Sequence, residues 1–191
     1  MALTAEVLFI NPDYAKRLTS LNGSVQDDMI TAATIIAQDK YLQTYLGTTL
    51  FNKLKTDIGL GSITGIYETI LDSYVRKATV WWTMVELLPS LYVRIDNGGL
   101  AIRGSEDTTA ITTGDLNREV ERSRKNAQHY TQRLVDFLTD RSADITEYPG
   151  NTFPDMYPQK AVYFENGLSI SGERPLTMQE ILDRDIITNI E

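Results

Sequence analysis

One helical stretch decides the fold of this chain: residues 67–88, which read YETILDSYVRKATVWWTMVELL. Large apolar residues recur there at alternating spacings of four and three, the period of an α-helix with one buried face. They are Tyr67, Leu71, Tyr74, Ala78, Trp81, Val85 and Leu88. From Val80 onward the stretch is apolar almost all round. We therefore expect this half of the helix to lie at the centre of a helical core, with both tryptophans used for packing.

The preceding residues predict further helices. Asn11 followed by Pro12 is a typical helix start, with a side-chain cap and a proline in the first turn. Ser24 is placed to cap a long helix that ends at Gly47, and a short helix over about residues 48–57 follows. The long helix carries a polar stripe, which we expect to face away from its apolar residues: Asp27, Thr31, Thr34 and Gln38.

Glycine and proline mark the connections around the central helix. The segment 59–62 (GLGS) is a break before it, and Pro89 is expected to stop or kink it. Residues 91–95 and 100–103 are strand-like and are separated by Asn97-Gly98, a strong hairpin signal. A β-hairpin is therefore predicted over residues 91–103.

A last long helix begins at Thr113 or Asp115 and runs to about Asp140. Its apolar positions again follow a helical period: Leu116, Val120, Ala127, Tyr130, Leu134 and Leu138. After Asp140 the helical periodicity stops. Residues 161–171 then predict a second hairpin around Asn166-Gly167, with Tyr163 and Phe164 on its first strand.

Charge is distributed unevenly along the chain. The net charge is −8, and residues 134–191 hold 11 acidic and 4 basic side chains, so most of the acidity belongs to the C-terminal third. A cluster of basic residues contrasts with this average: Arg118, Arg122, Arg124 and Lys125. One interpretation is a solvated helix face, because Glu119 and Glu121 are interleaved with the cluster. The other is a docking surface for an acidic neighbour, such as the acidic arm of an adjacent copy.

These patterns predict a mainly α protein. The expected architecture is a bundle of about four helices with an inserted β-hairpin, in residues 1–140, followed by an extended acidic C-terminal arm, residues 141–191, that carries a second β-hairpin. An isolated hairpin is marginally stable in water. Protruding hairpins and an arm therefore favour contacts with other subunits, and we take Asn97, Gly98, Tyr163, Phe164, Asn166 and Gly167 as contact candidates beside the basic cluster.

The sequence offers little support for catalysis. Cysteine is absent and His129 is the single histidine, which leaves no thiolate nucleophile and no histidine-rich metal site. We expect His129 to be a solvated surface residue. The glycines of 59–65 lack the G-K-[ST] of a phosphate-binding loop. No catalytic, metal-binding or cofactor-binding residue is predicted, and no cofactor. No run of apolar residues is long enough to span a membrane.

The order of motifs resembles that of the head–tail connector (adaptor or head-completion) proteins of tailed bacteriophages. The similar features are Ala37-Gln38, Tyr41-Leu42 and the run LGTTLFNKL at residues 46–54, where a long helix ends in "LG" before a short helix. The long helix through Lys77-Ala78 to Pro89, the hairpin with Asn97-Gly98 and the last helix are also similar. The resemblance covers about residues 24–140.

The resemblance implies a virion structural protein and not an enzyme. Such connectors form a ring of about a dozen copies, lie in the neck between head and tail, and contact the portal and tail or neck proteins. Double-stranded DNA passes through the ring without sequence-specific contact, which suits an acidic protein. The expected location is the virion, after synthesis in the host cytoplasm, with no membrane contact.

Two other interpretations stay open. One is a cytosolic helical adaptor or regulator that binds a single protein partner through the acidic C-terminal arm; it differs from the connector in forming one-to-one complexes instead of closed rings. The other is a small hydrolase with an unrecognised carboxylate site.

Overall fold

The computed structural model describes residues 6–96, 99–102, 112–150, 155–160 and 162. The described chain is mainly helical, as predicted. Helix α1 spans Pro12–Leu18, α2 spans Asp27–Ala37, α3 spans Gln43–Leu60, α4 spans Gly65–Ile70, α5 spans Arg76–Tyr92 and α6 spans Thr113–Asp140. Two π-helical turns, Gln38–Leu42 and Leu71–Val75, join α2 to α3 and α4 to α5.

Helix α5 is the central element, and it packs mainly against α6 on one side and α2 on the other. Of the predicted stripe, Leu71, Ala78 and Val85 are fully buried, and its remaining members are partly buried against the core. Residues from Val80 to Leu87 are buried nearly all round, which confirms the predicted central half. Trp82 lies beside the stripe, in the same core cluster as Ala78 and Val85, and donates its indole N–H to Thr131 Oγ1 of α6 at 2.9 Å.

Local signals place most helix ends correctly. The Asn11 side chain accepts the Tyr14 N–H, and Thr112 caps α6 by accepting the Asp115 N–H. Gly61 ends α3 in the left-handed conformation, with φ of 63°. The cap of α2 is Gln26 instead of Ser24, and Gln26 makes no side-chain cap hydrogen bond.

The prediction for Pro89 was wrong. Helix α5 continues through Pro89 to Tyr92, and the Val93 N–H bonds to the Pro89 carbonyl. Proline lacks only one backbone donor, and it stands here in the last turn, where few helical hydrogen bonds follow it. Leu91 and Tyr92, which we expected in a strand, are therefore helical. Two short antiparallel strands follow, β1 (Val93–Asp96) and β2 (Gly99–Ile102), with Val93 opposite Ile102.

The predicted polar stripe of α2 was also wrong. Thr34 and Gln38 are buried at 1% and 0% exposure, whereas the apolar Ile36 is 48% exposed. Gln38 accepts the Phe9 N–H at 2.6 Å and donates to the Val7 carbonyl at 3.2 Å. The N-terminal segment packs on this face and supplies polar backbone groups. A buried polar side chain is stable there because its hydrogen bonds are made.

The described residues just after α6, 141–150, pack on the helical body, although the sequence placed an arm boundary at residue 140. Ile145 and Tyr148 are buried in the main core. Glu147 accepts the hydroxyl hydrogen of Tyr67 at 2.5 Å. Burial and this hydrogen bond raise the pKa of Tyr67 to about 12. Burial alone would raise the pKa of Glu147, but hydrogen bonds, first that from Tyr67, lower it.

Tyr67→Phe is expected to reduce the free energy of unfolding by about 1 kcal/mol at neutral pH, because the partly buried carboxylate of Glu147 loses its donor. The pKa of Tyr67 is raised in the folded state, so its stabilisation is complete below pH 10 and is lost as the pH rises to about 12. The difference between wild type and variant in urea unfolding should therefore shrink over that range. Tyr157→Phe, at a 66% exposed side chain, is the control; a pH-independent difference for Tyr67→Phe would contradict the assignment.

Candidate subunit-contact surface

Three basic residues form a stripe on the outer face of α6. Arg118, Arg122 and Lys125 are spaced by four and three residues, so they lie along one side of the helix, and His129 continues the line. The arginine side chains are 81% and 75% exposed, and Lys125 and His129 are also exposed, as predicted for His129. At about 1.5 Å per residue, the three basic residues span about 10 Å along the helix axis, and the line extends to about 16 Å at His129. We call Arg118, Arg122 and Lys125 the basic face.

Carboxylates flank the basic face but do not interrupt it. Arg118 pairs with Asp115 at 2.9 Å, and Arg122 lies 3.7 Å from Glu119, each three residues earlier. A hydrogen bond from the Thr112 hydroxyl and the charge of Arg118 lower the pKa of Asp115. Exposed pairs of this kind contribute little stability and are readily exchanged. The exposure of the face is compatible with both interpretations of the cluster, the solvated helix face and the docking surface.

Arg124 does not belong to the basic face, although the sequence grouped it there. Its side chain is 32% exposed and pairs with Glu121 at 3.0 Å. Its charge also acts on the carboxyl of Glu86 in α5. The difference follows from the helical rotation of about 100° per residue, which turns Arg124 well away from Arg122 and toward the bundle. The other contact candidates, Asn97, Gly98, Tyr163, Phe164, Asn166 and Gly167, lie outside the described residues.

Beneath Arg124, Glu86 joins three elements, and the sequence analysis did not single it out. Its Oε1 accepts hydrogen bonds from Lys40 Nζ at 2.9 Å and from the Tyr41 hydroxyl at 2.7 Å. The Tyr41 ring stacks on Trp82, with centroids 3.8 Å apart. The π-helical turn carries both donors, so this network fixes the turn against α5. An acidic residue inside the apolar run 80–88 was the available signal, because a charge there needs partners.

The charges of the network are stabilised in the ionised form. Burial alone would raise the pKa of Glu86, but the hydrogen bonds from Tyr41 and Lys40, with the charges of Lys40 and Arg124, hold it below its usual value. The hydrogen bond to Glu86 raises the pKa of Lys40. Burial raises the pKa of Tyr41, and its hydrogen bond to Glu86 adds to the shift.

Glu86→Gln should lower the free energy of unfolding by about 1 kcal/mol at pH 7, because two charge-assisted hydrogen bonds become neutral-acceptor bonds. Since the pKa of Glu86 is lowered on folding, its stabilisation is lost as the pH falls below the ordinary value of 4.5. Urea unfolding of wild type and variant should therefore converge in acid. Glu119→Gln, on the exposed side of α6, is the matched control and should change stability by less than about 0.5 kcal/mol. Equal effects of the two substitutions would contradict this role of Glu86.

A strap formed by residues 155–160 crosses the corner between the long helix and its continuation at Gly47. Gly47 interrupts α3 with φ of 73° and ψ of 158°. The Thr48 N–H bonds to the Met156 carbonyl at 3.1 Å, and the Gln159 N–H bonds to the Thr44 carbonyl at 2.9 Å. These bonds satisfy backbone groups that the break leaves without helical partners.

Side-chain hydrogen bonds also attach the strap to the helices. Asp155 accepts hydrogen bonds from the Gln43 amide at 3.1 Å and the Thr48 hydroxyl at 3.4 Å. Beyond the strap, Val162 is buried with Tyr45 and with Val135 of α6. Val162, the last described residue, is therefore held beside the second half of α6.

A family model of unknown function, DUF6712, matches residues 42–155, more than half of the chain. The chain belongs to the DUF6712 family. Comparison with curated proteins and with solved structures gave no match. The region shared with DUF6712 begins in the π-helical turn and ends at Asp155, so it contains the Gly47 corner, Glu86 and the basic face.

Two further findings concern the described part of this DUF6712 chain. It contains no helix that is both long and apolar enough to cross a membrane. In the same residues, no three acidic or histidine side chains are grouped so that they could hold a metal ion.

Proposed function

We propose that this DUF6712 protein is a virion structural protein, a subunit of an oligomeric ring that joins the portal of a tailed-phage head to the tail and extends the DNA channel. Copies of the chain are its first partners, and portal and tail or neck proteins are the others. The ring of about a dozen copies and the two hairpins, 91–103 and 161–171, belong to this proposal.

The Gly47 corner is the observation that carries the proposal. The motif that resembles the connectors, LGTTLFNKL, is the place where one long helix breaks and a second begins. The strap holds that corner, and Val162 fixes the start of the C-terminal 29 residues on the body. A helical body with a held corner, and with the last described residue fixed against it, suits a subunit that is completed by its neighbours.

Charge is consistent with this function. A subunit with a net charge of −8 repels DNA phosphates on average. The wall of a channel built from such subunits would therefore not retain DNA in transit. A ring also needs a heterologous contact, in which one patch of a subunit binds a different patch on the next. The basic face and the acidic C-terminal residues are two such different patches.

Negative-stain electron microscopy over a concentration series, with native mass spectrometry of the same samples, tests the proposal. Closed rings of one size, with a single subunit number in the mass spectrum, are the expected result. A particle that stays monomeric at every concentration and binds one partner one-to-one would contradict it. That outcome would favour the adaptor function, in which the acidic C-terminal segment binds a single protein.

A further inference from the structure

We propose that the basic face of α6 in one copy binds the acidic segment Glu180–Asp185 of a second copy. This inference rests on the proposed function in one respect, because a ring requires that the contact join different copies. It names the two patches of the heterologous contact, which neither the family match nor the resemblance supplies.

The basic face is arranged to receive an anionic ligand. Arg118 and Arg122 are like charges four residues apart, and Lys125 follows three residues later, so each repels its neighbour on the helix. Among the described residues, Lys125 has no carboxylate within salt-bridge distance. The carboxylates that pair with the two arginines are those of Asp115, at the N-terminal end of the stripe, and Glu119, at its side. An acidic segment laid along the stripe would relieve this repulsion and add bidentate arginine contacts.

The chain itself contains a segment of complementary charge. Residues 163–191 hold six acidic and two basic side chains. Three of the acidic residues, Glu180, Asp183 and Asp185, fall within six positions that also contain Ile181, Leu182 and one basic residue, Arg184, so the segment carries a net charge of −2. Opposite charges attract within the Debye length of about 8 Å at physiological salt. The acidic segment is therefore attracted to the basic face and not to the rest of the molecule, which is acidic.

The exit point of the C-terminal residues sets the reach of this segment. Val162 is buried in one cluster with Tyr45 and Val135, and 17 residues of helix separate Val135 from Arg118, roughly 25 Å along the axis. Residues 163–179 could span up to about 55 Å if fully extended. That length exceeds the distance to the basic face of the same chain, so it also allows the segment to reach the basic face of a copy packed beside it. Binding to the basic face of its own chain is the alternative that the experiment separates.

A charge exchange between two full-length variants tests the contact. The face variant carries Arg118→Glu and Arg122→Glu, and the segment variant carries Glu180→Arg and Asp183→Arg. Each variant alone should self-associate about tenfold or more weakly than wild type in sedimentation velocity at low salt, because like charges then meet. An equimolar mixture should form mixed oligomers in which the two variants alternate, detectable by native mass, because each segment then meets a face of opposite charge.

Controls separate charge pairing from misfolding and from general charge effects. Arg17→Glu with Arg141→Glu changes the net charge equally at exposed positions outside the basic face, and it should assemble as wild type does. A chain with all four exchanges should regain self-association. Each variant should unfold within about 0.5 kcal/mol of wild type, as surface substitutions usually do.

Two outcomes would overturn the inference. The first is that both variants assemble as wild type does. The second is that the mixture stays unassociated while the fourfold variant behaves as wild type, because this result indicates binding within one chain. The inference and the proposed function fail separately. Rings that are unaffected by charge reversal would retain the function and remove the contact. Mixed oligomers that never close into rings would retain the contact and remove the function.

Discussion

Replacing Gly47 with alanine is expected to lower the free energy of unfolding by about 4 kcal/mol, the largest effect of any substitution considered for this protein. The backbone at Gly47, with φ of 73° and ψ of 158°, is accessible almost only to glycine. A Cβ atom there would also stand 2.8 Å from Cδ of Pro158. The added methyl group therefore strains the corner and pushes the strap away from it.

Guanidinium unfolding measures the loss, and limited proteolysis after residue 150 reports the release of the strap. Gly61→Ala is the matched control, since Gly61 has φ of 63° but nothing within 4 Å of an added Cβ. It should cost about 1 kcal/mol, the usual penalty for the left-handed conformation, without new cleavage of the strap. Similar losses for the two glycines would show that the contact with Pro158 contributes nothing.

Gln38→Leu is expected to cost about 3 kcal/mol. Leucine has nearly the same volume, but it leaves the buried Phe9 N–H without its acceptor and the Val7 carbonyl without its donor. Phe9 is 1% exposed and packs edge-on against the Phe51 ring, so solvent does not replace the lost partners. The amide hydrogen of Phe9 should exchange markedly faster in the variant.

Gln132→Leu serves as its control. The Gln132 amide donates to the Asp136 carboxylate at 2.7 Å on the exposed side of α6, and a surface change of this kind usually stays within about 0.5 kcal/mol. Unchanged exchange at Phe9 in Gln38→Leu, measured by hydrogen–deuterium exchange with mass spectrometry, would contradict the role of Gln38 as the anchor of the N-terminal segment.

The three members of the basic face could be read from the sequence, but the surroundings of Arg124 could not. Spacings of four and three place Arg118, Arg122 and Lys125 on one side of a helix whatever surrounds it, and the rotation of about 100° per residue excludes Arg124. The structure adds what Arg124 meets, which is Glu121 and the charge of Glu86. The importance of Glu86 was likewise hidden, since its donors come from Lys40 and Tyr41, more than forty residues earlier.

By itself the sequence determined the helices, because a helix is specified by neighbours within four positions. The apolar periods of α5 and α6, the cap at Asn11 and the glycine at position 61 are signals of that range. The resemblance to phage connectors rests on the same local motifs and stays a prediction.

Only the tertiary structure decided which polar residues are buried and what holds the Gly47 corner. In the sequence, Gln38 cannot be distinguished from a solvent-facing glutamine. Its burial depends on the backbone groups of the segment at Phe9, 29 residues away, which bond to its side chain. In the sequence, Gly47 looks like any glycine that ends a helix. The structure shows that Pro158 packs on it and that the Met156 carbonyl accepts the Thr48 N–H. Hydrogen bonds between distant segments satisfy these groups, and no local pattern encodes which segments will meet.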